Sequence, residues 1–131
     1  MPQRPLADVA ASTDHERKVQ RIARQLRERS SDRPVSLHKR AVSHMVPRSD
    51  DPRRRDDKVD ISDLDRILSV DPERRVCVAE PGVTFVDLVE ATLAHGLVPI
   101  VVPELKTITL GGAVAGCSIE SMSYRYGGFH D

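Results

Sequence analysis

Apolar positions along the chain change period several times, and each change marks an element. Val19, Ile22, Ala23 and Leu26 recur at helical spacing, and Thr13 followed three residues later by Glu16 has the form of a capping box. This spacing predicts an amphipathic helix opening at Thr13, behind a disordered lead over residues 1–12. Arg17, Lys18, Arg21, Arg24, Arg27 and Arg29 cover its other faces, and Arg33-Pro34 ends it. Val35-Ser36-Leu37 reads as the start of a strand. The block PRSDDPRRRDDK at residues 47–58 is broken by proline and dense in charge, so it predicts a loop. Ile61, Leu64, Ile67 and Leu68 fit a short turn or helix. Asp71-Pro72-Glu73-Arg74 predicts the turn of a β-hairpin between Leu68-Ser69-Val70 and Arg75-Val76-Cys77-Val78-Ala79.

The clearest unit follows Pro81-Gly82. Thr84 with Asp87 predicts a helix N-cap with an acidic third residue. Phe85, Leu88, Val89 and Leu93 then mark one apolar face. Gly96 stands where a helix ends in a left-handed residue, and Leu97 is placed for the contact that closes such a turn. Val98 to Val102 is wholly apolar apart from Pro99 and is ended by Pro103, which predicts a short strand covered on both faces. Hairpin, helix and strand in that order predict an α/β (α+β) fold. Residues 1–33 read as a basic arm and helix, and residues 34–131 as the body of the domain.

Composition narrows the class. The 131 residues suffice for one modest core. Aromatics are 3% with no Trp, so that core rests on Val, Leu, Ile and Ala. The net charge of zero hides a split: residues 1–58 hold 15 Lys+Arg against 9 Asp+Glu, and residues 59–131 hold 5 against 11. Either the halves attract each other and the basic half is solvated, or the basic arm seeks an anionic partner. No aromatic lies in residues 1–58, which argues against nucleic acid; peripheral membrane contact stays open. Cys77 and Cys117 fit neither a zinc pattern nor a disulfide framework, so reduced thiols and no metal are expected. No apolar run has the length of a membrane span and no secretory signal is visible, so the expected location is cytoplasmic.

All seven glycines follow residue 81, and three fall in Gly111-Gly112-Ala113-Val114-Ala115-Gly116 after a Thr-rich turn at Thr107 and Thr109. Small residues let a backbone approach a ligand closely, and successive amides at a helix start can cradle a pyrophosphate. Ser118, Ser121 and Ser123 add hydroxyls. Tight helix packing explains the same composition. The run is neither the G-x-G-x-x-G fingerprint nor a Walker loop.

Larger blocks carry a resemblance. They are Glu80-Pro81-Gly82-Val83-Thr84, Leu93-Ala94-His95-Gly96-Leu97, Val101-Val102-Pro103-Glu104-Leu105, Thr109-Leu110-Gly111-Gly112, Gly116-Cys117-Ser118-Ile119-Glu120-Ser121 and Tyr126-Gly127. In this order they resemble the FAD-linked oxidoreductases of the vanillyl-alcohol oxidase/para-cresol methylhydroxylase type, nearest the delta-24 sterol reductase branch. The likeness covers residues 34–131 and is strongest from about residue 76. Val35-Ser36-Leu37-His38-Lys39-Arg40 and Val59-Asp60-Ile61-Ser62-Asp63-Leu64 resemble that family's first flavin loop and second strand.

The resemblance implies two α/β subdomains with FAD between them, of which this chain carries the first. It implies that Thr109, Leu110, Gly111, Gly112, Ala113, Val114, Ala115, Gly116, Cys117, Ser118, Ile119, Glu120 and Ser121 bind the cofactor, and that the loop from Ser36 to Arg48 adds phosphate contacts. It also implies reduction of a carbon–carbon double bond in a small apolar, sterol-like substrate. The family's domain continues beyond Asp131, so a truncated product, half of a split enzyme or a fragment is expected, inactive alone. The rival readings are a catalytically dead half that needs a partner chain, and a binding module using the basic arm. No catalytic residue is assigned. Cys117 reads as a small buried filler in preference to a reactive or flavin-linking thiol. His44 lies in the first flavin loop with nothing around it to support flavin attachment. His95 reads as a favourable helix C-terminal residue. Glu120 and Arg125 are placed to pair or to hydrogen-bond within the loop, and Tyr124 and Tyr126 either flank the flavin or pack.

Overall fold

Leu6, Val9 and Ala10 continue the helical spacing upstream of Thr13, and three alanines raise helix propensity there. In the computed structural model, which describes residues 6–40 and 48–130, the first helix accordingly runs Leu6–Arg27 (α1). The capping box at Thr13 is therefore not a cap: Thr13 lies inside α1, and residues 6–12 are helical rather than a disordered lead. The chain divides into two units, Met1–Asp63 and Leu64–Asp131.

In the first unit, Val35–His38 (β1) pairs in parallel with Asp57–Asp60 (β2), with Leu37 opposite Val59. A 3-10 turn at Pro52–Arg55 lies inside the stretch predicted as a loop, and Asp57 and Lys58 of that stretch belong to β2. α1 meets β2 through a different face from the one its apolar stripe predicted. Val19 and Leu26 are exposed, whereas Lys18 is buried with its Nζ 3.2 Å from Asp14. Arg21 donates to the Asp60 carbonyl at 3.0 Å, and Gln25 accepts the Asp60 amide at 3.2 Å. These side chains satisfy edge groups of a two-stranded sheet, which explains why polar residues face inward here.

The second unit opens with the hairpin, Ile67–Asp71 (β3) antiparallel to Val76–Ala79 (β4), with a bulge between Ile67 and Ser69. Asp71 accepts from the Arg74 amide at 2.9 Å and so closes the turn. Ile67 and Leu68 belong to β3, not to a helix. Phe85–Leu93 (α2) is capped by Thr84, whose Oγ1 accepts from the Asp87 amide at 3.2 Å. Its end forms the expected left-handed turn: Gly96 has φ +70°, its amide reaches Leu93 O at 2.9 Å, and the Leu97 amide reaches Thr92 O at 3.1 Å. Phe85 and Leu88 are buried as predicted. Leu93 is exposed and Thr92 replaces it inside, its hydroxyl donating to Leu88 O at 3.0 Å.

Val98 to Val102 is not a strand. Pro99 and Pro103 lack the amides a ladder needs, and no strand among the described residues pairs with it. Val101 and Pro103 turn inward while Val98 and Ile100 are exposed, so the segment is covered on one side only. Val83, Phe85, Leu88 and Ala113 form the core, with Ile67, Cys77, Ala79, Ile108, Leu110 and Phe129 packed around it. Leu110–Ala115 (α3) and Ser123–Tyr126 (α4) complete an α+β unit.

Candidate functional site

Thr109 organises the start of the glycine-rich run. It is buried, its Oγ1 accepts from the Gly112 amide at 3.2 Å, and it forms an antiparallel bridge with Thr84. The amides around it are engaged in turn. Leu110 donates to Val83 O at 2.9 Å, Gly111 to Pro81 O at 2.8 Å, and Ala113 to Thr109 O at 2.8 Å. The first turn of α3, where a helix ordinarily offers amides to an anion, thus has its donors paired within the protein. Glycine at 111 serves close packing: a Cβ there would stand 2.8 Å from Pro81 Cβ.

Past α3 the pattern changes. Ser118 still donates to Ala113 O at 3.0 Å, and Glu120 donates to Ser123 Oγ at 2.9 Å. The amides of Ile119, Ser121 and Met122 donate to no acceptor among the described residues. Donors without protein partners therefore concentrate at residues 119–122, beside the exposed hydroxyl of Ser121. Arg125 is the sole Lys or Arg after Lys106. An anion held here would rest on amides and hydroxyls more than on ion pairs.

Several side chains differ from expectation. Cys117 is exposed with φ +50°, so it is not a buried filler. Glu120 and Arg125 do not pair with each other but hydrogen-bond within the loop through their backbones, and Arg125 sets its guanidinium 5.4 Å from the centroid of the Tyr126 ring. Tyr124 is 84% exposed. Cys77 is partly buried, and burial pushes its thiol up, away from reactivity. No group of three metal-ligating side chains occurs among the described residues.

The segment from Ser36 to Arg48, expected to add phosphate contacts, is described at its flanks; His44 and the rest of residues 41–47 lie outside the described residues. At the end of β1, His38 Nδ1 lies 3.2 Å from Asp60 Oδ1, which also accepts from the Ser62 amide at 2.9 Å. Hydrogen bonds from Ser62, and then from His38, hold the Asp60 carboxyl down at about 2. Burial pushes Asp57 up, but Arg29, Arg33 and Ser31 outweigh it and hold that carboxyl below its ordinary value.

Two residues of the site escaped sequence reasoning. Glu80 is 1% exposed; its Oε2 accepts from the Arg66 amide at 2.8 Å while its own amide donates to Arg66 O. This pins the turn whose Pro81 and Val83 carbonyls hold the start of α3. Phe129 stacks edge-on to Phe85. The signal for it was present: it is one of two Phe in an aromatic-poor chain.

Residues 7–131 match the family described as FAD binding domain. The chain belongs to that family. Its cofactor is accordingly FAD. Among curated proteins, this FAD-binding chain is 31% identical over 121 residues to the Delta(24)-sterol reductase of Pisum sativum, covering 90% of the chain and 21% of that protein. It is 40% identical over 72 residues to a Delta(24)-sterol reductase homolog of Caenorhabditis elegans, covering 55% of the chain and 14% of that protein. It is 36% identical over 70 residues to the Decaprenylphosphoryl-beta-D-ribose oxidase of Mycolicibacterium smegmatis, covering 53% of the chain and 15% of that protein. The chain thus spans about a fifth or less of the length of these relatives. No solved structure matches it. No described helix is long and apolar enough to cross a membrane.

The residues present fit an FAD pyrophosphate. Ile119, Ser121 and Met122 supply amides unpaired among the described residues, the Ser118 and Ser121 hydroxyls lie beside them, and Thr109 fixes the start of the run.

Proposed function

We propose that this chain is the cofactor-gripping portion of an FAD-dependent oxidoreductase, with residues 109–121 facing the FAD nucleotide. The observation that carries the reading is the match of residues 7–131 to the FAD binding domain family. The tether of Thr109 and the free donors at Ile119 and Ser121 support it. When bound, FAD supplies reversible hydride transfer at its flavin ring; the protein's own task is to bind and orient it. The sterol reductase relatives support a sterol-like, apolar substrate whose carbon–carbon double bond is reduced. A cytoplasmic location forms part of the same reading, and no membrane-crossing helix among the described residues opposes it.

Titration of the purified chain with FAD, followed by calorimetry and by flavin fluorescence, tests the cofactor assignment. Saturable one-to-one binding is the expected result. A chain that neither retains nor takes up FAD overturns the reading. The substrate assignment is tested separately, on a polypeptide of the length of the relatives: its reduced flavin is expected to be reoxidised by an olefinic sterol and not by the saturated one.

A further inference from the structure

The FAD-facing segment proposed above is fastened to the core along its first residues, and its far end is fastened by a side chain outside the segment. At its start, Thr109 bridges Thr84. After residues 119–126 the chain returns to the same place. The Phe129 amide donates to Ser118 O at 3.0 Å, and the Phe129 ring meets Phe85 edge-on, with centroids 4.9 Å apart and planes at 74°. Phe85 is 1% exposed and directly follows Thr84. Residues 109–129 therefore close at both ends on the dipeptide Thr84-Phe85. The Leu110 and Gly111 amides and the buried Ala113 side chain fix the first part of this stretch to the core, but from Ile119 to Tyr126 no hydrogen bond reaches the core among the described residues. Ile119 is 75% exposed and Tyr124 84%, and the bonds at Glu120, Ser123 and α4 are internal to the loop. A loop whose tip buries nothing takes its order from its closure.

We propose that Phe129 is the positioning residue that closes this loop and presents the amides of Ile119, Ser121 and Met122 to FAD. The proposal rests on the cofactor reading given above. Phe129 touches no cofactor; it acts by keeping the loop in one arrangement, so that binding does not have to order it.

The chain itself provides the reporter. Its two tyrosines, Tyr124 and Tyr126, both lie in this loop, and it has no Trp. Tyrosine emission therefore reads the loop, and energy transfer to bound flavin quenches it. The full chain is compared with its Phe129→Leu and Phe129→Ala variants by FAD titration on this emission and by hydrogen exchange. Phe129→Ala is expected to weaken FAD binding about tenfold, as for a loop that holds its binding arrangement a tenth of the time. Exchange is expected to quicken across residues 118–127 while α2 keeps its protection. Phe129→Leu, which keeps apolar bulk and loses the ring contact, is expected to fall between, at about twofold to threefold. Unchanged affinity and exchange in a folded Phe129→Ala chain overturn the proposal. If Phe129→Ala loses the protection of α2 as well, Phe129→Leu decides: behaviour identical to the parent chain overturns it. A parent chain that binds no FAD overturns the cofactor reading, while the exchange series still decides whether Phe129 closes the loop.

Discussion

Cys117 holds φ +50° with its side chain exposed, just after α3. A side chain in the left-handed region costs about 1–2 kcal/mol, which glycine avoids at some cost in unfolded-state entropy. Cys117→Gly is therefore expected to stabilise the chain by about 0.5–1 kcal/mol, and Cys117→Val to destabilise it by more than about 1 kcal/mol, because a β-branched residue tolerates this φ least. Urea denaturation midpoints of the two variants check this, and a Cys117→Gly chain less stable than the parent contradicts it. Gly82 shows the opposite constraint. Its amide donates to Leu64 O at 2.6 Å, and a Cβ there would lie 2.3 Å from that oxygen. Nothing larger fits while Leu64 keeps its place, so the Pro81-Gly82 break is steric as well as conformational.

At the scale of elements, α2 is the hub of the second unit. Its cap residue Thr84 also bridges Thr109, and its first residue Phe85 packs on Phe129. Thr84→Ala removes the oxygen that accepts from Asp87 and strips the partner of the Asp87 carboxylate, 2.7 Å away. A lost threonine cap costs about 1–2 kcal/mol, and Thr84→Ser is expected to restore most of it. Thermal unfolding followed by circular dichroism measures both; equal stability of the Ala and Ser variants would show that the cap contributes nothing. The segment at residues 98–102 marks the limit of element-level reasoning. Its apolar run satisfied the hydrophobic condition for a strand, but backbone hydrogen bonding decides strand formation, and two prolines withhold the donors.

For the molecule as a whole, acid sensitivity is clearest in the first unit. Three carboxyls held low, Asp51, Asp57 and Asp60, lie within Met1–Asp63. A carboxyl whose folded pKa lies below its unfolded value stabilises the fold above the unfolded value, and that contribution is lost as pH falls through the folded one. For Asp60 the window runs from the ordinary 3.8 down to about 2. The β1–β2 pair is therefore expected to loosen across this range, and Asp60→Asn to flatten that part of the acid titration. Hydrogen exchange at residues 57–60 against pH tests this; identical acid midpoints with and without Asp60 would refute it.

Features specified by neighbours a few residues apart were legible in the sequence. The cap at Thr84 and Asp87, the left-handed end at Gly96, the hairpin about Asp71 and the ordered blocks from Glu80 to Gly127 that mark the FAD family are all of this kind. The start of α1 was legible too, in Leu6, Val9 and Ala10, but a capping box at Thr13 competed with it. What tertiary structure alone decided was the partner of each polar group. Arg21 and Gln25 rather than Val19 and Leu26 meet the Asp60 backbone of β2, because a two-stranded sheet leaves backbone groups that need donors and acceptors. The amides of Leu110 and Gly111 are taken by carbonyls at Val83 and Pro81, which moves the free donors to Ile119, Ser121 and Met122. Phe129 closes the loop through Phe85, far away in the chain. Local spacing cannot encode such pairings, since hydrogen bonds and ring contacts form between whichever groups the folded backbone brings within reach.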